Sequence, residues 1–236
     1  MIDTTYRTND PEIMDDFAME GENLLDALDK IAEINRFLGG NAITRNGVKS
    51  LLKKIPVSQQ ITIVDLGCGS GDMLRMLADF AKKENRNFDL IGIDANNYTI
   101  RRAKELSKDY RNISYLTENV FNPEFARLKY DIALCTLTLH HFKEDELLQI
   151  MRILNENSRI GIVVNDLQRS ALAYRLFQLL AFVFQLKKMP REDGLTSILR
   201  GFKKQEFKDF SKKLNLTQYT IRWKWAFRYQ WIISKL

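Results

Sequence analysis

Leu24, Leu25, Leu28, Ile31, Ile34 and Leu38 recur at steps of mostly three and four residues. That is the period of one face of an α-helix, and it predicts a helix over 22–38. Gly39-Gly40 ends it, and a second helix over about 41–54 stops before Pro56. From residue 61 the pattern changes. Apolar runs at 61–66, 88–93, 112–116, 130–136 and 159–165 read as strands, with helices near 71–83, 97–107 and 143–155 between them. Such alternation predicts parallel strands joined by right-handed crossovers. The tail departs from it. "SALAYRLFQLLAFVFQL" (170–186) is apolar almost all round, and "YTIRWKWAFRYQWIISK" (219–235) reads as two β-rich runs forming an antiparallel hairpin. With no repeat, low-complexity tract or Gly/Ser/Pro linker, the chain is read as one unit. A helical cap (1–55) precedes an α/β core (56–169) and a region of lid helices and hairpin (170–236).

Composition narrows the class. The 236 residues are 45% hydrophobic and 28% charged, enough for a sizeable core in one α/β domain. Two cysteines, Cys68 and Cys135, both in strand-like contexts, argue against a disulfide scaffold, and no Cys/His cluster points to a metal. The acidic, polar N-terminus does not read as a signal peptide, so a cytoplasmic setting is expected. The net charge of +6 is uneven, at −3 for residues 1–120 and +9 for 121–236. A basic half suits nucleic acid, an anionic membrane or an acidic substrate. It also suits a solvated helical face, because "KKQEFKDFSKK" mixes its lysines with acids.

The chemistry begins at "ITIVDLGCGSGD" (61–72), where a buried strand runs into three glycines at alternate positions. Gly67 can turn the chain, Gly69 can bring bare backbone to a ligand, and Gly71 can let the next helix pack close to the sheet. Asp65 stands inside the apolar strand end, where an unpaired acid is costly. Asp94 ends the second strand, where an acid can bind ribose hydroxyls. A dinucleotide site would read GxGxxG, whereas here the spacing is GCGSG.

"VDLGCGSG" with "GIDA", "NVF" (119–121), "YDIALCTLTLHHF" (130–142) and "IGIVVNDLQRS" (160–170) resembles the class I S-adenosylmethionine-dependent methyltransferases over most of the chain. The resemblance implies a Rossmann-like α/β fold, with a mostly parallel seven-stranded sheet, an antiparallel C-terminal hairpin and helices on both faces. It implies that Asp65 and the Gly67–Gly71 backbone, with Cys68 and Gly69, hold the methionine part of S-adenosylmethionine. Asp94 would take the ribose hydroxyls, with Ala95 beside the adenine. Asn119 stands where the family more often has Asp, and its carbonyl can accept from the adenine amino group while its NH2 donates to a ring nitrogen. Val120, Cys135 and Thr136 would complete the wall, and Arg36, in "INRFLGG", would meet the cofactor carboxylate or else lie on the surface.

Methyl transfer to a hydroxyl gains from proximity and from a base that titrates near neutrality. The only histidines are His140 and His141, at the end of the fourth strand. His140 is the candidate base and His141 the loop anchor, while capping or packing is the plainer reading of the pair. Asp166 is a candidate for a substrate hydroxyl at the cavity rim, or for a helix cap near Ser170. Segment 170–186 is too short to span a bilayer; an interfacial helix, a buried core helix and a lid all suit it, and the favoured reading is a lid with a core role whose Tyr174, Phe177, Phe182 and Phe184 suit a flat or greasy acceptor. A finer similarity, to bacterial enzymes grouped with polyketide, quinone or pigment biosynthesis, rests on "INRFLGG", "NDLQRS", "DGLTSILRGF" and "RWKWAFRYQ".

The expected function is O-methylation of a small, hydrophobic or aromatic acceptor by a monomer or homodimer. RNA methylation and a non-catalytic cofactor-binding subunit are the alternatives. The lack of a separate RNA-binding module argues against nucleic acid.

Overall fold

The computed structural model describes residues 2–236. Its elements follow the chain as α1 Glu22–Phe37, α2 Gly40–Leu51, β1 Gln60–Leu66, α3 Asp72–Lys83, β2 Asn87–Asp94, α4 Asn97–Leu106 and β3 Ile113–Thr117. Next come β4 Tyr130–Thr136, α5 Glu144–Asn157, β5 Ser158–Leu167, α6 Ala171–Val183, α7 Lys188–Arg200, α8 Lys204–Lys213, β6 Tyr219–Lys224 and β7 Arg228–Ser234. The seven strands form one sheet in the order β3-β2-β1-β4-β5-β7-β6. The first five are mutually parallel, and β7 and β6 close the edge antiparallel. This is the Rossmann-like architecture expected for the methyltransferase fold.

The central strands are apolar because both faces of the sheet are covered. Residues 160–166 of β5 are buried without interruption, whereas the edge strand β3 buries only Tyr115. One face packs Val64, Cys135, Leu147, Met151, Phe207 and Trp231 around α5 and α8. The other packs Ile61, Ile63, Leu74, Leu77, Phe88 and Ile100 around α3 and α4.

Two parts of the tail differ from the sequence reading. Of the lid helices expected within 170–236 the sequence places only one, at 170–186, and a second, α7, forms over 188–200 and packs against α6. Gly194 allows it, since a Cβ there would stand 2.3 Å from Phe177 Cζ. The apolar α6 is not covered all round. Ala173 and Ala181 face inward, while Leu172, Leu179, Phe182 and Val183 are exposed. Among the described residues no helix is long and apolar enough to cross a membrane.

Candidate active site

Strand order reverses between β1 and β4, which is where open α/β sheets bind ligands beyond the strands' carboxyl ends. A cavity of about 740 Å³ lies there. Its walls are the loops after β1 to β4, the inner sides of α1 and α6, part of α7 and the β6–β7 turn.

At one end stands the glycine loop. Gly67, Gly69 and Gly71 have φ of 66°, 52° and 78°, which side chains other than glycine adopt at a cost. Their surroundings differ. A Cβ would come within 2.7 Å of Thr138 Cγ2 at Gly67 and 2.0 Å of Tyr115 Oη at Gly71, but no closer than 3.9 Å to Leu28 at Gly69. Gly69 is therefore the bare wall of the cavity. Gly71, expected at the ligand, does not line the cavity and instead lets α3 start against Tyr115.

The loop has a brace that the sequence did not reveal. Asp94 Oδ2 accepts from the Gly69 N–H at 3.1 Å and Oδ1 from the Asn96 N–H at 3.0 Å. Burial raises the Asp94 pKa, and these N–H groups counter it. Asp65 is buried in the cavity wall and its Oδ1 has no hydrogen-bond partner. Burial, and then the charges of Asp72 and Asp94, push its pKa well up. Such an orphaned oxygen beside other acids is a seat for a cationic group. Asp72 also lines the cavity and accepts from Asn41 Nδ2 at 2.7 Å.

Cys68, Ala95, Asn119, Val120 and Thr136 line the cavity. Asn119 Oδ1 already accepts from the Phe121 N–H at 3.0 Å, so its amide NH2 is the group left for a ligand. Two expectations are corrected. Arg36 is exposed and does not line the cavity, because the helical period turns Ile34 and Asn35 inward instead. Cys135 is fully buried in the core on the α5 side of the sheet, and its neighbour Thr136 takes the cavity position. The residues present still fit S-adenosylmethionine. Asp65 and Asp72 suit its cationic amino group, Asp94 its ribose hydroxyls, and Gly69 gives close approach to backbone.

The histidines sit in a 3-10 turn, Leu139–His141, directly after β4. His140 is buried, and its Nδ1 lies 2.7 Å from Asp166 Oδ1. Asp166 also accepts from the N–H groups of Leu139 (2.9 Å), His140 (3.3 Å) and Leu167 (2.7 Å). Burial favours a raised Asp166 pKa, but the charge and hydrogen bond of His140 hold it below the usual range. Asp166 is thus wholly buried, off the cavity, and caps the histidine turn rather than α6. Ser170 caps α6.

The N-terminal segment brings residues that sequence patterning missed. Glu12 is buried beside the pair, its Oε1 3.7 Å from His140 Nε2 and 4.0 Å from His141 Nδ1. Burial drives its pKa up to about 7, against the charge of His141 and a hydrogen bond from Ser197. His141 Nδ1 lies 2.7 Å from Asp15 Oδ1, and Arg200 Nη1 donates to Asp15 Oδ2 at 2.6 Å. Burial opposes ionisation of Asp15, yet these two bonds hold its pKa far below the usual range. Glu12, His140 and His141 present ligand-type atoms within 4.8 Å of one another. Arg200 Nη1, 3.6 Å from Glu12 Oε1, already places positive charge there. Nothing in the sequence around "DPEIMDDF" ties it to histidines some 130 residues on.

Of the four aromatics expected to face an acceptor from 170–186, only Phe177 lines the cavity. Leu176 and Leu180 join it from α6, and Trp223, Trp225 and Phe227 from the hairpin. Ala226 and Phe227 hold φ of 59° and 53° without being glycine, a strained turn of the kind that gathers at functional sites.

Residues 63–161 match the family model of a methyltransferase domain. A 135-residue stretch is 24% identical to the 235L protein of Invertebrate iridescent virus 6, a methyltransferase by name. That stretch covers 51% of this chain and 48% of the viral protein, so the match spans about half the length of the curated relative. Among solved structures, the plantazolicin methyltransferase BpumL in complex with SAH superposes with a TM-score of 0.66 at 15% identity over 89% of each chain. The magnesium protoporphyrin IX methyltransferase ChlM from Synechocystis PCC 6803, with bound SAH, gives 0.55 at 15% over 84% of each. The CurJ carbon methyltransferase gives 0.59 at 16%, over 79% of this chain and 51% of its own. Residues 63–161 thus carry a methyltransferase domain, and the chain shares the fold of S-adenosylmethionine-dependent methyltransferases along most of its length.

Proposed function

We propose that the protein O-methylates a small aromatic or lipid-like compound, with His140 taking the acceptor's proton. The observation that carries this is the His140–Asp166 pair. A carboxylate held ionised at 2.7 Å from Nδ1 keeps the proton on that nitrogen and leaves Nε2 as the basic atom. His140 lies in the cavity wall. S-adenosylmethionine supplies an electrophilic methyl group on a sulfonium. The chain's own residues do the rest. Asp65, Asp94 and the Gly69 backbone hold the donor, and α1, α6 and the hairpin turn exclude water. His140 Nε2 accepts the hydroxyl proton as the acceptor oxygen gains its methyl group.

The acceptor class is supported by the walls that α6 and the hairpin contribute, where Leu176, Phe177, Leu180, Trp223, Trp225 and Phe227 are apolar. Such a wall takes a ring or an alkyl chain. The similar structures named for plantazolicin and magnesium protoporphyrin IX point the same way.

The test is incubation with labelled methyl donor and fractionated cell extract. Label should enter the organic phase, and His140→Ala should lower kcat by ~10²-fold or more with cofactor affinity near normal. Label in RNA would replace the acceptor class. Full turnover in the variant would leave proximity as the mechanism, and tight cofactor binding with no transfer to any fraction would favour a non-catalytic subunit.

A further inference from the structure

Arg228 is the one lysine or arginine among the residues that line the cavity, against eight carboxylate side chains there: Glu12, Asp15, Asp65, Asp72, Asp94, Glu118, Glu146 and Asp193. It opens β7, is 3% exposed, and its Nε and Nη1 have no hydrogen-bond partner. No carboxylate oxygen forms an ion pair with it among the described residues. A buried guanidinium is ordinarily paired, because leaving its N–H groups unmet costs several kcal/mol. The other buried arginines obey this. Arg169 meets Glu206 and the Gly201 carbonyl, and Arg200 meets Asp15 and the carbonyls of His140 and His141. Among these buried arginines Arg228 alone keeps unmet N–H groups, and it stands in the wall of a cavity.

We infer that Arg228 is an anion-recognising subsite of the cavity, binding a carboxylate through its planar fork of N–H donors. The fork matches two carboxylate oxygens. Its position allows two sources. The side chain packs at the α1–α2 junction, since a Cβ on Gly40 would meet both Asn35 Oδ1 (1.8 Å) and Arg228 Cζ (3.1 Å). Asn35 bonds Asn41, and Asn41 bonds Asp72 at the first turn of α3. Through that chain Arg228 borders the donor end. Its neighbours Trp225, Ala226 and Phe227 line the acceptor end.

The glycine loop is poorly placed to serve a carboxylate itself. The N–H groups of Gly67 and Cys68 donate to Ile93 O, that of Gly69 to Asp94 and that of Gly71 to Cys68 O. The anion is therefore either the amino-acid carboxylate of the methyl donor or an acid group on the acceptor. The inference goes beyond the choice of a hydroxyl acceptor with a histidine base. It draws on the methyl-donor reading of the cavity, which wild-type binding of a nucleoside probe checks separately.

The experiment compares wild type with Arg228→Gln and Arg228→Met. Probes are SAH, which carries the amino-acid carboxylate, methylthioadenosine, which lacks it, and benzoate. Calorimetry should show SAH or benzoate weakened at least tenfold in Arg228→Gln, with methylthioadenosine unchanged. Loss confined to SAH assigns the donor carboxylate, and loss confined to benzoate assigns the acceptor. Arg228→Met should melt higher than wild type without ligand, since it removes an unpaired buried charge, and should lose the stabilisation that the carboxylate probe gives wild type. A guanidinium with a purely structural role would make that variant melt lower. Unchanged binding of both carboxylate probes in Arg228→Gln, or a lower melting temperature for Arg228→Met, overturns the inference. Failure of wild type to bind either nucleoside would count against the donor reading instead, and the benzoate and melting arms would still decide Arg228.

Discussion

Replacing Glu12 by glutamine should change how stability depends on pH, and the size of the effect follows from where Glu12 sits. Its carboxyl is buried beside His140, with Oε1 unpartnered. Burial carries its pKa from 4.5 to about 7 in the folded protein. An acid with a raised folded pKa keeps its proton in the native state over a range where the unfolded chain has lost it. Folding is then linked to proton uptake, and stability falls as pH rises from the unfolded pKa through the folded one. At ~1.36 kcal/mol per unit, that shift corresponds to roughly 3 kcal/mol lost between about pH 4 and pH 8.5. Glu12→Gln does not titrate. The stability difference, variant minus wild type, should therefore rise by about 3 kcal/mol across this range, whatever its value at low pH. Urea unfolding followed by circular dichroism at half-unit pH steps measures both curves. If they run parallel from pH 4.5 to 8.5, the carboxyl ionises normally and burial does not dominate its environment.

Other positions give further checks. Gly71→Ala should cost several kcal/mol on unfolding, through the clash with Tyr115 and the positive φ. Gly69→Ala should cost only about 1 kcal/mol yet weaken SAH in calorimetry, because its Cβ would enter the cavity wall. Asp94→Ala should lose on the order of 1.5–3 kcal/mol of SAH affinity and speed hydrogen exchange at Gly69 and Asn96, and unchanged values would remove Asp94 from the site. Leu179→Gln and Phe182→Gln, at 60% and 81% exposure, should each alter stability by less than ~0.5 kcal/mol, whereas Ala181→Phe on the buried side of the same helix should cost 1–3 kcal/mol or more by overpacking, roughly.

The core was legible because its signals are local. A buried parallel strand is a continuous apolar run, a glycine loop is contiguous, and a covering helix repeats every three to four residues. All five parallel strands and the helices between them lie within two or three residues of where periodicity puts them. Roles that depend on side-chain direction were less legible. Arg36 and Asn35 are adjacent in sequence, but 100° of helical rotation puts one in solvent and the other in the cavity wall. Cys135 and Thr136 are divided in the same way by the two-residue period of a strand. The position of α7 among the lid helices was not legible because "KMPREDGLTSILR" carries a proline, a glycine and no clear apolar stripe, and it is held by packing on Phe177 rather than by propensity.

Least legible was the N-terminal strap, yet it decides how closed the histidine end is. Arg7 donates to the carbonyls of Arg200 (2.7 Å), His140 (2.9 Å) and Phe142 (2.9 Å). Asp193, buried in α7, accepts from the N–H groups of Ile13 and Met14 at 2.7 and 3.1 Å. Asp15 bridges His141 and Arg200. These bonds join residues about 130 to 190 positions apart, so no window along the chain contains both partners. Together they fasten the strap across the turn that carries His140 and set Glu12 and Asp15 into the cavity wall. Charged hydrogen bonds of this kind contribute about 1.5–3 kcal/mol each when buried, so the strap is not a freely opening flap. An acceptor would then enter between α6 and the hairpin turn, past Leu176, Trp223 and Trp225, where the walls are apolar and none of the strap's bonds need break. Asp193→Ala should test this directly. It frees the strap at Ile13 and Met14 without touching α6, so it should raise protease cleavage near residue 13 and lower kcat through a displaced His140 turn. The acceptor KM should move much less. A variant in which KM rises and kcat holds would place the entrance under the strap instead.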